Sequence, residues 1–157
     1  MKIKLLLIGK TDDDYLRKGI EKYLKRLKHY ITVEVHIIPD IKNTRKFTEV
    51  QQKQKEGEQI LAKTTAGDHL ILLDENGKEF SSEQFAKHIE KKMISGTRCT
   101  VFVVGGPYGF SDEVYKRCNE KVSLSQMTFS HQMVRLIFTE QLYRAMTIIK
   151  GEPYHHQ

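Results

Sequence analysis

The chain has 157 residues, with 26 Lys and Arg against 20 Asp and Glu, and a net charge of +6. This length corresponds to one ordinary domain, and it is enough to bury a core without disulfides or a structural metal. Cys99 and Cys118 form neither a disulfide framework nor a zinc-ligand spacing, and the apolar run at 3–8 is too short for a signal peptide or a membrane span. We therefore expect a single domain over residues 1–157, in the cytoplasm, with no metal and no membrane contact. The basic charge favours a nucleic-acid partner, although solubility alone would explain it equally well.

Short, largely apolar segments recur along the chain. Such segments are typical of parallel strands that are buried on both faces. Five segments are predicted as strands on this basis: 3–8, 33–38, 70–73, 100–104 and, more weakly, 122–125.

Longer segments with helical spacing lie between and after these strands. The first helix begins at the acidic residues Asp12 to Asp14, the third begins with a capping box at 81–84 and ends at Gly96, and Asn76-Gly77 predicts a turn before it. The predicted helices are 12–27, 48–63, 81–96, a short one from 111, and a long one over 131–150. The alternation indicates an α/β fold with a mainly parallel sheet flanked by helices.

Ligands of open α/β sheets bind outside the carboxyl ends of the strands, which selects the positions after Leu73, Val104 and Leu124. The loop at 105–110 has three glycines, which allow close backbone approach to a ligand, but a plain tight turn explains it equally well. The segment 124–132 leads into a helix that carries Arg135 and Arg144. Together these residues indicate the rim of a ligand site.

Simpler interpretations of the same residues remain open. Met127 and Phe129 could be core residues, Arg144 could pair with Glu140 one helical turn earlier, and the terminal histidines could be a disordered tail. Metal-site and serine-hydrolase motifs are absent from the sequence. A reaction that needs positioning and a base, but no protein nucleophile, suits this set of residues.

The glycine loop at 105–109, the segment 124–132 and the end of the chain at 151–156 together resemble the RlmH family. These proteins are small SPOUT-class methyltransferases of the bacterial large ribosomal subunit. The similarity covers the whole chain and is weakest over 41–50. It implies that the C-terminal third is threaded into a deep trefoil knot, that the protein is a homodimer, and that it methylates N3 of a pseudouridine in a 23S ribosomal RNA stem-loop on the assembled ribosome.

The resemblance also implies S-adenosylmethionine as cofactor and assigns its contacts, which coincide with the three strand ends selected above. The assigned residues are Leu73, Gly105, Leu124, Ser125, Gln126, Met127, Thr128 and Phe129. Pseudouridine N3 must lose a proton, so a general base or a nearby cation would help. His155 and Tyr154 are the candidate bases, with Arg135 and Arg144 as electrostatic helpers or phosphate contacts.

Two alternatives come from other functional classes. A non-enzymatic ribosome-binding factor would explain the basic charge and would not bind S-adenosylmethionine. A Rossmann-type enzyme would use the glycine loop for a nucleotide and would need an acidic residue about 20 positions further on, where Glu120 is the nearest candidate.

Overall fold

The computed structural model describes residues 1–156 as one α/β unit. Five strands are present in this range: β1 (Lys2–Ile8), β2 (Thr32–Ile38), β3 (His69–Glu79), β4 (Cys99–Val104) and β5 (Glu120–Ser123). They form one sheet in the order β2-β1-β4-β3-β5, and every pairing is parallel. The predicted α/β fold with a parallel sheet is confirmed, whereas the trefoil knot stays a prediction.

The helices and one 3-10 turn lie between these strands and after the last of them. They are α1 (Asp14–Leu27), a 3-10 turn at Thr44–Lys46, α2 (Glu49–Ala62), α3 (Ser82–Ile94), α4 (Asp112–Arg117) and α5 (Met133–Ile149). Thr48 and Ser81 begin α2 and α3 with complete capping boxes, in which each cap side chain satisfies a free backbone N–H of the first turn. Within residues 1–156, no helix is both long and apolar enough to cross a membrane.

The two faces of the sheet carry separate cores. Leu5, Leu7 and Phe102 pack on the side of α1, α3 and α5, where Phe138 and Leu142 are fully buried. The alternate residues of the same strands face the other way, toward α2 and α4. This arrangement explains why the central strands of the sheet are largely apolar. The edge strand β2 is the exception, because Val35 and Ile37 are exposed.

The third strand differs from the sequence prediction, because it continues past residue 73 to Glu79. Leu73 and Lys78 both pair with Val122, so residues 74–77 bulge out of the ladder with β5. A Cβ atom on Gly77 would lie 2.5 Å from the backbone nitrogen of Val122. The turn predicted at Asn76-Gly77 is therefore wrong: glycine is required there because β5 approaches closely.

Candidate active site

A cavity of about 520 Å³ lies where β3, β4 and β5 end. This is the edge at which open α/β sheets bind ligands, and the volume is in the usual range for small-molecule sites. Its walls are three chain segments, 73–75, 104–110 and 122–131 with the exception of residue 126, together with Tyr115 of α4 and Val134 of α5.

Seven of the eight residues assigned to the cofactor line this cavity: Leu73, Gly105, Leu124, Ser125, Met127, Thr128 and Phe129. The eighth, Gln126, is exposed and is not among the lining residues. Met127 and Phe129 are 76% and 36% exposed. The alternative that these two side chains belong to the core is therefore wrong, and they lie on the walls of the cavity instead.

The glycine loop between β4 and α4 is packed against two side chains. A Cβ atom on Gly105 would lie 3.0 Å from the ring of Phe110, and one on Gly106 would lie 2.6 Å from the carboxylate of Glu56. Gly109 has a φ of +80°, a conformation that favours glycine. The loop is thus both a tight turn and a wall of the cavity.

Glu56 lies next to this loop and is only 4% exposed. Its Oε1 atom is the one buried side-chain oxygen or nitrogen without a hydrogen-bond partner among residues 1–156. Burial raises the pKa of Glu56, a hydrogen bond with Gln52 opposes the shift, and the charge of Asp40 adds to it. Glu56 could not be recognised as a site residue in advance, since α2 is a polar helix with several glutamates.

Hydrogen bonds fix the segment between β5 and α5. The Ser125 hydroxyl accepts the backbone N–H of Met127 at 3.0 Å. The Gln132 side chain accepts the backbone N–H of Asp12 at 2.9 Å and donates to the carbonyl of Lys10 at 3.1 Å. These contacts attach the end of the segment to the chain that follows β1.

Arg135 has a different environment from the other predicted catalytic residues, because it is completely buried. Its guanidinium donates to the carbonyls of Ile8 at 2.6 Å, Gly9 at 2.9 Å and His131 at 3.2 Å. Burial lowers the pKa of Arg135, and nearby carboxylates oppose the shift. The side chain thus connects the end of β1 to His131 on the cavity wall, and its buried position does not suit a phosphate contact.

Arg144, Tyr154 and His155 lie together on α5 and the tail, with Glu140 between them; we call these four residues the C-terminal cluster. Arg144 donates to Glu140 at 2.6 Å and to Nδ1 of His155 at 3.2 Å, and the Tyr154 hydroxyl donates to Glu140 at 3.0 Å. The expected Arg144–Glu140 pair is therefore present beside the contact with His155. Burial raises the pKa of Tyr154, and hydrogen bonds with Tyr23 and Glu140 raise it further.

The C-terminal cluster is separate from the cavity of its own chain. None of its four residues is among those that line the cavity. Arg144 is ten positions beyond Val134, the α5 residue on the cavity wall, which corresponds to about 15 Å along the helix. The structure thus brings three predicted catalytic residues together, but away from the predicted cofactor contacts.

Asp74 and Tyr115, which contact each other, are among the cavity residues that were missed in the sequence. The Tyr115 hydroxyl donates to Oδ2 of Asp74, and the backbone N–H of Asn76 donates to Oδ1 at 2.8 Å. Asp74 directly follows Leu73, so the strand-end rule was a signal for it. Tyr115 gave no such signal, because it reaches the cavity only through the placement of α4.

Glu120 is engaged elsewhere, in a cluster with His69, His88 and Lys92. Its carboxylate contacts Nε2 of His69 at 2.5 Å and Nε2 of His88 at 2.7 Å, and it also accepts from Lys92. Burial would raise the pKa of Glu120, but the hydrogen bonds from His88, Lys92 and His69 outweigh it and place the pKa well below its usual range. The residue does not line the cavity, so the Rossmann-type alternative lacks its ribose-binding acid.

Comparison with known proteins agrees with this geometry. A family model described as "Predicted SPOUT methyltransferase" matches residues 1–155. The chain therefore belongs to the SPOUT methyltransferase family, whose members transfer methyl groups.

Individual relatives are more specific than the family model, and they confirm the resemblance to the RlmH family. The chain is 60% identical to Ribosomal RNA large subunit methyltransferase H of Parabacteroides distasonis and 62% identical to the protein of that name from Flavobacterium psychrophilum. It is 50% identical to the one from Bacteroides fragilis. Each comparison covers 100% of this chain and 100% of the relative.

Proposed function

We propose that the protein transfers the methyl group of S-adenosylmethionine to N3 of a pseudouridine in 23S ribosomal RNA, in the cytoplasm and on the assembled ribosome. The observation that carries this proposal is the cavity at the ends of β3, β4 and β5. It gathers seven residues that the family resemblance assigns to the cofactor, in a chain similar along its whole length to proteins named as ribosomal RNA methyltransferases.

The cavity fits the cofactor in size and chemistry. Leu73, Val104 and Leu124 offer apolar surface for the adenine ring, and Gly105 leaves the backbone of its loop open to polar groups. Asp74 and Glu75 suit a ligand that carries positive charge. When bound, S-adenosylmethionine supplies an electrophilic methyl group on a positively charged sulfur.

His155 is the better candidate for the base that takes the N3 proton. The raised pKa of Tyr154 keeps its phenol protonated at neutral pH, so it acts as a donor. An arginine can only donate, so the contact of Arg144 requires Nδ1 of His155 to be unprotonated. We propose that substrate binding frees this nitrogen from Arg144 and that it then accepts the proton.

A homodimer would resolve the separation of the C-terminal cluster from the cavity. Because the cluster does not line the cavity of its own chain, we propose that the tail of one protomer serves the cavity of the other. The catalytic unit would then be the dimer, with His155 of one protomer acting on a base held beside the cofactor of its partner.

The basic surface provides a place for ribosomal RNA. Five exposed residues on α1 and the 3-10 turn are the candidate phosphate contacts: Lys18, Lys22, Lys25, Arg45 and Lys46. Their replacement by glutamine should weaken ribosome binding and flatten its salt dependence, while the affinity for S-adenosylmethionine stays unchanged. Loss of cofactor affinity instead would contradict this division of roles.

The proposal is tested by transfer of labelled methyl from S-adenosylmethionine to ribosomes that lack the modification, with free 23S RNA in parallel. We expect label on the ribosomes and little on the free RNA. Equal labelling of both would show that assembly is not required. A protein that binds ribosomes but not S-adenosylmethionine would be a non-enzymatic binding factor.

A further inference from the structure

The charge of the cavity is opposite to the charge of the protein. The chain carries a net charge of +6. Nevertheless, the residues lining the cavity include Asp74 and Glu75 and, within the range that the structure describes, no lysine or arginine. A ligand with positive charge is therefore favoured in the cavity itself, whereas the exposed surface favours polyanions.

Asp74 is the better placed of the two carboxylates, because it is half-buried and held at both oxygens, whereas Glu75 is exposed. Its hydrogen-bond donors are the Tyr115 hydroxyl and the backbone N–H of Asn76. The ring of Tyr115 packs edge-on against Phe110, with 5.8 Å between centroids. The Asp74 carboxylate thus has a fixed position on the cavity wall.

Both donors to Asp74 are electrically neutral, which leaves its negative charge available to a ligand. Burial raises the pKa of Tyr115, and the contact with Asp74 raises it further, so the phenol remains a donor at neutral pH. Asp74 takes part in none of the salt bridges found over residues 1–156. Lys121 lies 5.6 Å over the ring of Tyr115 and is exposed to solvent, where its charge is screened.

We propose that Asp74 is the residue by which the site distinguishes S-adenosylmethionine from its product, S-adenosylhomocysteine. The inference rests on the proposed function. The two molecules differ by one methyl group and by the charge of the sulfur, which is positive in the sulfonium and zero in the thioether. A fixed carboxylate in a partly desolvated cavity attracts the sulfonium form and loses that attraction when the methyl group leaves. Asp74 therefore favours cofactor binding and product release at the same time.

The test is a pair of dissociation constants, measured by titration calorimetry for S-adenosylmethionine and S-adenosylhomocysteine. Asp74→Asn keeps the shape of the side chain and can still hydrogen-bond with Tyr115 and Asn76, but it removes the charge. We expect the variant to weaken the affinity for S-adenosylmethionine about tenfold, the size of one charge contact in a partly solvated site. The affinity for S-adenosylhomocysteine should stay within about twofold of the wild-type value. Glu79→Gln is the matched control, because it removes one charge from the exposed end of the same strand, and it should alter neither constant.

The wild-type protein offers a second measurement that does not depend on any variant being folded. The ratio of the two dissociation constants should move toward one as sodium chloride is added, because salt weakens only the charge-dependent part of binding. The inference would be overturned if Asp74→Asn weakened the affinity for both ligands equally or for neither. It would also be overturned if salt did not change the ratio of the two dissociation constants. Failure of the wild-type protein to bind either molecule would instead contradict the proposed function.

Discussion

Replacing Gly106 with alanine should push the glycine loop against the buried carboxylate of Glu56. The added Cβ atom would lie 2.6 Å from Oε2 and 2.7 Å from Oε1 of Glu56. The φ angle of Gly106 is not among the positive ones, so alanine can adopt the same backbone conformation. The penalty should therefore come from the contact with Glu56 and not from strain in the loop itself.

The size of the penalty follows from the burial of Glu56. Its side chain is 4% exposed, so the carboxylate has little room to move aside. An overpacked site of this kind is destabilised by about 1–3 kcal/mol. If the loop moves to relieve the contact, the affinity for S-adenosylmethionine falls by about 5- to 150-fold.

A double-mutant cycle measures whether Glu56 is responsible. Glu56→Ala removes the carboxylate, so the double variant with Gly106→Ala should regain most of the affinity that Gly106→Ala loses. Gly67→Ala is the matched control, since a Cβ atom there meets nothing within 4 Å. Wild-type affinity in Gly106→Ala would show that Glu56 moves aside freely. A double variant as weak as Gly106→Ala would show that the penalty has another source.

Three further predictions concern residues other than Gly106. Arg135→Met leaves buried carbonyls of β1 and His131 without a donor, so the free energy of unfolding in urea should fall by roughly 2–4 kcal/mol. His155→Ala and Gly105→Leu should each abolish methyl transfer as homodimers. When the two variants are mixed and allowed to exchange subunits, half of the dimers should be heterodimers, each with one intact cavity served by one intact His155. The mixture should therefore recover about a quarter of the wild-type rate. Glu120→Gln should make the free energy of unfolding less dependent on acid pH. Because the pKa of Glu120 is lowered in the folded protein, its ionised carboxylate stabilises the fold above the ordinary pKa of 4.5, and this stabilisation is lost as the pH falls below 4.5.

Each of these has an outcome that would contradict it. A free energy of unfolding for Arg135→Met within about 0.5 kcal/mol of the wild-type value would show that the hydrogen bonds of Arg135 do not stabilise the fold. No recovery in the mixed sample would mean that each chain uses its own tail. Parallel stability curves of Glu120→Gln and wild type between pH 7 and pH 3 would show that the histidines and Lys92 do not stabilise the ionised carboxylate.

Much of the fold could be predicted because the relevant signals are local. β4 and the second half of β1 are largely apolar since both of their faces are covered, and the caps at Thr48 and Ser81 use residues three positions apart. The extension of β3 to Glu79 could not be predicted in the same way. It depends on pairing with β5, a partner some 45 residues away in the chain.

The candidate site was predictable to the extent that it follows the ends of strands. The strand-end rule selected the positions after Leu73, Val104 and Leu124, and all three border the cavity. Glu56 and Tyr115 could not be found, because their roles come from helices that pack against the glycine loop and β3. Arg135 was predicted as an electrostatic helper or phosphate contact because arginine is seldom fully buried. Its buried hydrogen bonds to backbone carbonyls are visible only in the structure.

The identity of the methylated nucleoside tests the central claim most directly. Ribosomes that lack the modification are incubated with the protein and S-adenosylmethionine, and the 23S RNA is then digested to nucleosides and analysed by mass spectrometry. We expect a single new product, pseudouridine methylated at N3, which is absent when the cavity variant Gly105→Leu replaces the wild type. A methyl group on another nucleoside, or transfer that survives in Gly105→Leu, would contradict it.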